Sequence, residues 1–491
     1  MASSHENGLS KPHASMLHAF CACNHIRLPL ARQHKTSVFV SRFIPSRHFQ
    51  YEIDYNAFAL VYTAPALADT SLFCYNFFMI EKELTSSLLE RFLRYVQVWT
   101  TSDSNSADKG NQPSTQTQFD LAHILESELK SLGLEDVQIT DHCYVYGRLP
   151  ASKGCEKIEP FCLLAPIDTV EEVSGKDVKP QIHKNYGGED IILKSGDILS
   201  AQKDLALAES ARNHETIITS DGTTLLGADD KAGVAEIMTA LEYFSKNPQT
   251  QHGEIEVCFS PDEETGHGMD NVPLNLIKSK YAYTVDGGHI GELETECFNA
   301  FKSEVVFTGV SVHTGTARGI LVNAITMAGN FVTNLPRHES PETTCGYEGF
   351  YAPMSIEGSI ERAKVVIFLR DFDAENMNKR KALVETLAKA TASSFGGKAE
   401  VCHIQQYLNM KNGFKNRPDV IEKLVAAYKK AGIEPVFTPI RGGTDGSRLT
   451  EMGLPCPNIF TGGHNYHSRT EWASLEQMEK AMTVLVNLIE K

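Results

Sequence analysis

Four short stretches, far apart in the chain, carry the side chains that hold metal ions. They are GADD (227–230), PDEETG (261–266), TVDGG (284–288) and NYH (465–467). A carboxylate able to bridge, two further carboxylates and a histidine are the oxygen and nitrogen donors of a hydrolytic two-zinc site. A spare glutamate beside one of them supplies the base.

Each stretch also has a plainer reading. Asp229 precedes a helix opening at Lys231, and an aspartate there ordinarily caps the helix and favours its dipole. With two aspartates side by side, one can cap while the other faces a cation. Asp-Glu-Glu in a loop is ordinarily a solvated acidic run. Here an apolar strand leads into Glu263 and Glu264, which puts them at a strand's carboxyl end, where open α/β sheets bind ligands. Neighbouring residues point apart there, so the two glutamates can divide the roles of base and ligand. Asp286 enters Gly287-Gly288 and alone would be a turn aspartate. His467 follows another apolar strand. Four such residues at four strand ends point jointly to a metal site.

The elements that must position them follow from periodicity. The apolar spacing predicts helices over 80–98, with Leu84, Leu88, Leu89, Phe92 and Val96 on one face, and over 119–132, 231–245, 374–395 and 419–431. Strands are predicted at 161–164, 254–259, 281–285 and 458–461, with a loop region up to about residue 220. Strand and helix alternation implies an α/β sheet covered on both faces. From 297 the order becomes strand 305–310, helix 320–335, strands 354–360 and 364–369, helix, strand 400–405, a split βαβ unit. The domains expected are therefore an extension (1–78), a catalytic domain in two parts (79–296 and 408–491) and an inserted lid of four strands and two helices (297–407).

The chain has 491 residues, 42% hydrophobic and 22% charged, with a net charge of −16. That balance suits a globular protein and argues against nucleic acid as partner. No run approaches the roughly 18 apolar residues of a membrane span. Eleven cysteines without a framework, several in apolar runs (Cys162, Cys258, Cys402), fit buried free thiols and the cytoplasm. Residues 1–78 hold six of the eighteen histidines and no persistent period, so they read as a disordered or non-native extension, with Met79 as an alternative start. Cys21, Cys23 and His25 match no common zinc spacing.

Beyond the extension the chain resembles the peptidase T family, tripeptide aminopeptidases of the two-zinc aminopeptidase and carboxypeptidase superfamily. The resemblance rests on TLLGADDKAG (224–233), LRDFD (369–373), RGGTDG (441–446), GLPCPN (453–458) and FTGGHNYH (460–467). It implies an α/β zinc-peptidase core with an α+β lid, Zn2+ at two sites and short peptides as substrates, and it leaves a homodimer open. Asp229 would bridge the zincs, Glu264 and His467 would complete one site, and Asp286 would belong to the other. Glu263 would be the general base, and Asp168 would orient the first histidine ligand. His313 and Asn323 would reach the scissile carbonyl and the substrate's carboxylate, and Arg370 or Arg441 would clamp that carboxylate.

The family pattern at 166–169 is His-any-Asp-Thr, whereas this chain has Pro166-Ile167-Asp168-Thr169. Proline has no ligating group, so one site keeps only Asp229 and Asp286. His289 could turn inward to replace the imidazole, against its reading as an exposed loop residue. Three functions stay open: an aminopeptidase for short peptides, a catalytically impaired peptide-binding homologue, and a hydrolase of dipeptides or acylated amino acids.

Overall fold

The computed structural model describes residues 83–491; the extension, the Met79 start and the Cys21, Cys23 and His25 group lie outside them. A helix over 83–95 (α1) buries Leu84, Leu88, Phe92 and Tyr95 at helical spacing. Helix α2 (Gln118–Ser131) buries Leu121, Leu125 and Leu129 and stops before Gly133, whose φ is 86°. Arg91, nearly buried, donates to Glu128 on α2 at 3.0 Å and pairs with Glu242 farther along the chain, so burial of the guanidinium is matched by two carboxylates.

The chain then lays down β1 (Glu135–Ile139), β2 (Val145–Leu149) and β3 (Phe161–Pro166). Helix α3 (Ala228–Lys246) follows, then β4 (Ile255–Ser260), β5 (Ala282–Gly287) and β6 (Glu292–Glu294). It leaves for a second sheet of β7 (Asn299–Thr308), β8 (Phe350–Gly358), β9 (Arg362–Asp371) and β10 (Lys398–Tyr407), with helices α4 (Ala324–Thr333) and α5 (Ala374–Phe395). It returns as α6 (Pro418–Lys430), β11 (Val436–Phe437), α7 (Asp445–Glu451), β12 (Asn458–Phe460) and α8 (Leu475–Ile489).

The main sheet has eight strands in the order β1-β2-β4-β3-β5-β12-β6-β11. Its centre, β4-β3-β5-β12, is parallel. β3 and β4 are buried at every position, as strands covered on both faces must be. The four-stranded sheet, order β8-β9-β7-β10, is antiparallel throughout, and one face packs against α4 and α5 through Val305, Phe307, Phe331, Val365 and Val384. The α/β architecture with a split βαβ lid is therefore as the sequence implies. No described helix is long and apolar enough to cross a membrane.

Three details differ from expectation. The region up to 220 is not all loop: it holds the strands Gln181–His183 and Ile217–Thr219 and the helix Leu205–Asn213, which starts at an Asp204 cap. Strands of three residues are too short for a period to reveal, and Ile217–Thr219, besides pairing with Gln181–His183, pairs with Trp472–Ser474 near the chain's other end. The helix expected over 320–335 begins only at Ala324, because the Asn323 side chain accepts the N–H groups of Ile325 and Thr326 and caps it. Cys402 is exposed on the edge strand β10 rather than buried, because the open face of that sheet carries no helix.

Gly233 marks where α3 crosses β5. A Cβ there would clash with the Val285 carbonyl oxygen and lie 2.8 Å from the Asp230 carboxylate. Gly233→Ala should cost about 2–3 kcal/mol by overpacking. A fall in the urea midpoint at unchanged slope would report it, and an unchanged midpoint would show that helix and strand part freely.

Candidate active site

The parallel strands β3, β4, β5 and β12 all run toward one end of the sheet, and the residues singled out from the sequence lie on the turns there. Asp229 and Asp230 open α3, joined by a cis peptide bond, and both depart from helical angles. They divide as two adjacent aspartates can. Asp230 accepts the Gly233 N–H at 3.1 Å, a capping bond, while Oδ2 of Asp229 lies 3.1 Å from Nε2 of His467. The same nitrogen is 3.1 Å from Oε2 of Glu264. Asp229, Glu264 and His467 are the one group of three or more candidate donors among the described residues whose ligand atoms all lie within 4.8 Å of one another.

Glu263 and Glu264 sit on a single 3₁₀ turn after β4. Two buried carboxylates fix that turn from beneath. Asp168 accepts the N–H groups of Glu263 and Glu264 at 3.0 and 3.3 Å. Asp262, in the left-handed region, accepts from the Ser114 backbone and the Gln118 amide, each at 2.7 Å. Asp168 therefore holds the backbone of the Glu-Glu turn, and with proline at 166 it has no imidazole on that strand to orient.

The electrostatics follow from packing acids together. Burial first, then the charges of Asp445, Glu264, Asp229 and Asp168, holds the Glu263 carboxyl well above the usual range. Burial, then Asp230 and Asp229, does the same for Asp286. Glu264 is raised to about 7 by burial and by Asp229, against the pull of His467. His467, hydrogen-bonded to Asp229 and then to Glu264, is raised to about 11 and is protonated between them. The ring thus carries a positive charge where a divalent cation would sit, and the oxygen and nitrogen donors fit such an ion.

Asp286 stands near this group without joining it. Its backbone N–H donates to the Asn458 side chain at 3.0 Å, which ties β5 to β12. Pro166 ends β3 opposite Ser260 and contributes no donor. His289 does not supply the missing imidazole, nor is it an exposed loop residue. It is partly buried, its Nε2 is 3.7 Å from Glu209, and its ring lies 5.4 Å from that of His464.

The lid residues separate in the same way. The Arg370 guanidinium lies over the Tyr407 and Phe368 rings, at 5.5 and 4.9 Å, and donates to the Leu369 carbonyl at 3.0 Å. It has no carboxylate in ion-pair range among the described residues, and burial lowers its pKa. Arg441 spends its donors on the Gly346 and Glu348 carbonyls, at 2.7 and 2.8 Å, and on the Thr344 hydroxyl. His313 is exposed, with Nδ1 accepting the Gly315 N–H, and Asn323 caps α4; neither joins the carboxylate group. Tyr407, at the end of β10, is a residue that sequence reasoning passed over. It stacks with Arg370 and feels the charge of Glu263, and only an aromatic at a strand end hinted at it.

The sequence profile of peptidase family M20/M25/M40 matches residues 220–491, more than half of the chain. A peptidase T of Clostridium perfringens is 46% identical over 403 residues, covering 82% of this chain and 98% of that one. The crystal structure of the aminopeptidase PepT from Bacillus cereus superposes with a TM-score of 0.64 at 24% identity, covering 82% of this chain and 98% of the other. A tripeptidase structure from Staphylococcus aureus gives the same TM-score of 0.64 at 22% identity, over 82% of this chain and 97% of its own. The strand-end acids and histidine thus lie on a fold and in a sequence shared with peptidases, and the chain belongs to peptidase family M20/M25/M40, whose members are hydrolases acting on peptides.

Proposed function

We propose that the protein is a metal-dependent aminopeptidase that releases the first residue of short peptides, tripeptides foremost. The carrying observation is the meeting of Asp229, Glu264 and His467 at the carboxyl end of the sheet, with Glu263 on the same turn. The relative named peptidase T and the solved tripeptidase support the substrate class.

Asp229, Glu264 and His467 would hold one divalent cation, zinc by the nature of the donors, and Asp286 with Asp229 would offer a second, poorer site. A bound cation would supply Lewis acidity toward the scissile carbonyl and the attacking water. Glu263, ionised once a cation offsets the neighbouring acids, would take the proton from that water and deliver it to the departing amine. Asp168 keeps the Glu263–Glu264 turn in place. Arg370, without an acidic partner among the described residues, would receive the substrate's free carboxylate on the lid side. His313, exposed, and Asn323, half-buried, would reach a substrate through lid closure or from a second copy of the chain. The eight free cysteines of the described residues, six of them buried, suit a reducing cytoplasm. A second reading, a peptide-binding relative with little turnover, is favoured by Pro166 alone.

Glu263→Gln should retain metal while turnover falls by roughly two to four orders of magnitude. Glu264→Gln should lose metal as well, by atomic emission on the dialysed protein. Equal metal loss in both would contradict the division of base and ligand between the pair.

Recognition of the free carboxyl end by Arg370 predicts that amidating a tripeptide's C-terminus raises KM by about 10–100-fold, the loss of a charge-assisted bond. Equal KM for acid and amide would remove Arg370 from that role.

Metal binding must expel protons from His467 and Glu264, so affinity should rise with pH from 6 to 8. Pro166→His should add a tightly bound second equivalent of zinc in calorimetric titration. If the unsubstituted protein already takes two equivalents with equal affinity, proline at 166 does not weaken the second site.

A further inference from the structure

The loop leading into Asp229 lacks a side-chain cap of its own. The residue at the N-cap of α3 is Gly227, in the left-handed region with φ 82°, which has no side chain to accept the N–H groups ahead of the Asp230 cap. Without another acceptor, the N–H groups of this buried loop would be orphans. They are met instead by Glu471, which is 1% exposed and reaches across from the far end of the sequence. One oxygen, Oε2, accepts the Leu226 and Gly227 N–H groups at 2.7 and 2.8 Å. The other, Oε1, accepts the Asp229 N–H at 3.1 Å. Lys231, also 1% exposed, donates to the Val98 carbonyl at 2.7 Å, and burial lowers its pKa to about 7.

We propose that Glu471 is a positioning residue for the metal site: its carboxylate holds the Leu226–Asp229 loop by three N–H bonds and thereby aims Asp229 at Glu264 and His467. This rests on the metal-dependent reading given above. The geometry of the chain makes the argument. Glu471 stands four residues after His467 and directly before Trp472, which is fully buried and paired in register with Thr219. One anchored loop therefore carries the histidine of the site and, by backbone bonds, fixes the aspartate that faces it. The spacing of Asp229 and His467 is set before any cation arrives, so binding need not spend free energy on organising them.

The test compares Glu471→Gln with a matched control. Glutamine keeps size and one acceptor but turns an NH2 group toward the Asp229 N–H, leaving two donors face to face. The control is Glu256→Gln, at the opposite end of β4. Glu256 is likewise buried and accepts from the Tyr146 hydroxyl at 2.6 Å and from the Lys278 and Ser279 backbones at 3.0 and 2.8 Å. Zinc affinity is measured by competition with a chromophoric chelator, alongside the melting temperature of the metal-free protein. Glu471→Gln should bind zinc about 10–100-fold more weakly. Its kcat should fall while KM for a tripeptide stays within about twofold. Glu256→Gln should lose thermal stability yet bind zinc as the unsubstituted protein does. Equal affinity in Glu471→Gln and the unsubstituted protein, or equal weakening in both variants, would overturn the proposal. Should Glu471→Gln not fold, Glu471→Asp, which keeps the charge and withdraws it by one methylene, is read in the same titration, and undiminished affinity overturns the proposal. If the unsubstituted protein takes up no zinc, the metal reading itself falls and this inference with it.

Discussion

The repulsion among carboxylates gathered at one end of the central sheet governs the rest of the molecule. Asp168, Asp229, Asp230, Glu263, Glu264 and Asp286 crowd a region largely closed to water, and burial is the first cause of every raised pKa among them. Two like charges about 4 Å apart repel by about 4 kcal/mol at an effective dielectric near 20. A fold that tolerates this must meet the acids with donors, protons or cations. The chain uses all three. Asp168, Asp230 and Asp262 are met by N–H groups, Glu263 and Asp286 are pushed toward the protonated form, and Asp229 with Glu264 encloses the His467 imidazolium. Only the last arrangement leaves donors converging on a point, which is why the proposed cation would sit there.

The same constraint explains why the two halves of the metal region differ. Asp286 points its acid into the crowded layer with no imidazole beside it, since β3 ends in Pro166 and His289 turns to Glu209. A second ion near Asp286 would find two carboxylates and no nitrogen, too few protein ligands for tight zinc binding. Apart from this acid layer, on the lid sheet, Arg370 lies against Tyr407 with no acidic partner among the described residues. An arginine kept from neighbouring acids retains its charge for a substrate carboxylate.

Much of this was legible in the sequence because strand ends can be read from apolar runs. The runs before Asp286 and before the Glu263–Glu264 pair put those acids at strand ends, and the doubled aspartate at 229 and 230 announced its division into a cap and a residue facing His467. The lid order followed from period alone. The residues that stayed hidden act through the backbone or over long separations. Glu471 bonds to N–H groups, which no side-chain pattern encodes, and Asp168, singled out in the sequence, gave no sign there of its bonds to the Glu263 and Glu264 N–H groups. The Arg441 guanidinium reads like a free clamp in RGGTDG, yet the Thr344–Glu348 loop folds back to consume it. His289 could be placed only once the Gly287–Gly288 turn was known to lead it toward Glu209.

The most direct test of the account is where the metal sits. Crystals of the protein soaked in zinc, with diffraction recorded on both sides of the zinc absorption edge, would locate each ion by its anomalous difference. The account predicts one dominant peak bounded by Asp229, Glu264 and His467, and a weak peak or none beside Asp286. Two peaks of equal height, or a dominant peak beside Asp286, would contradict it.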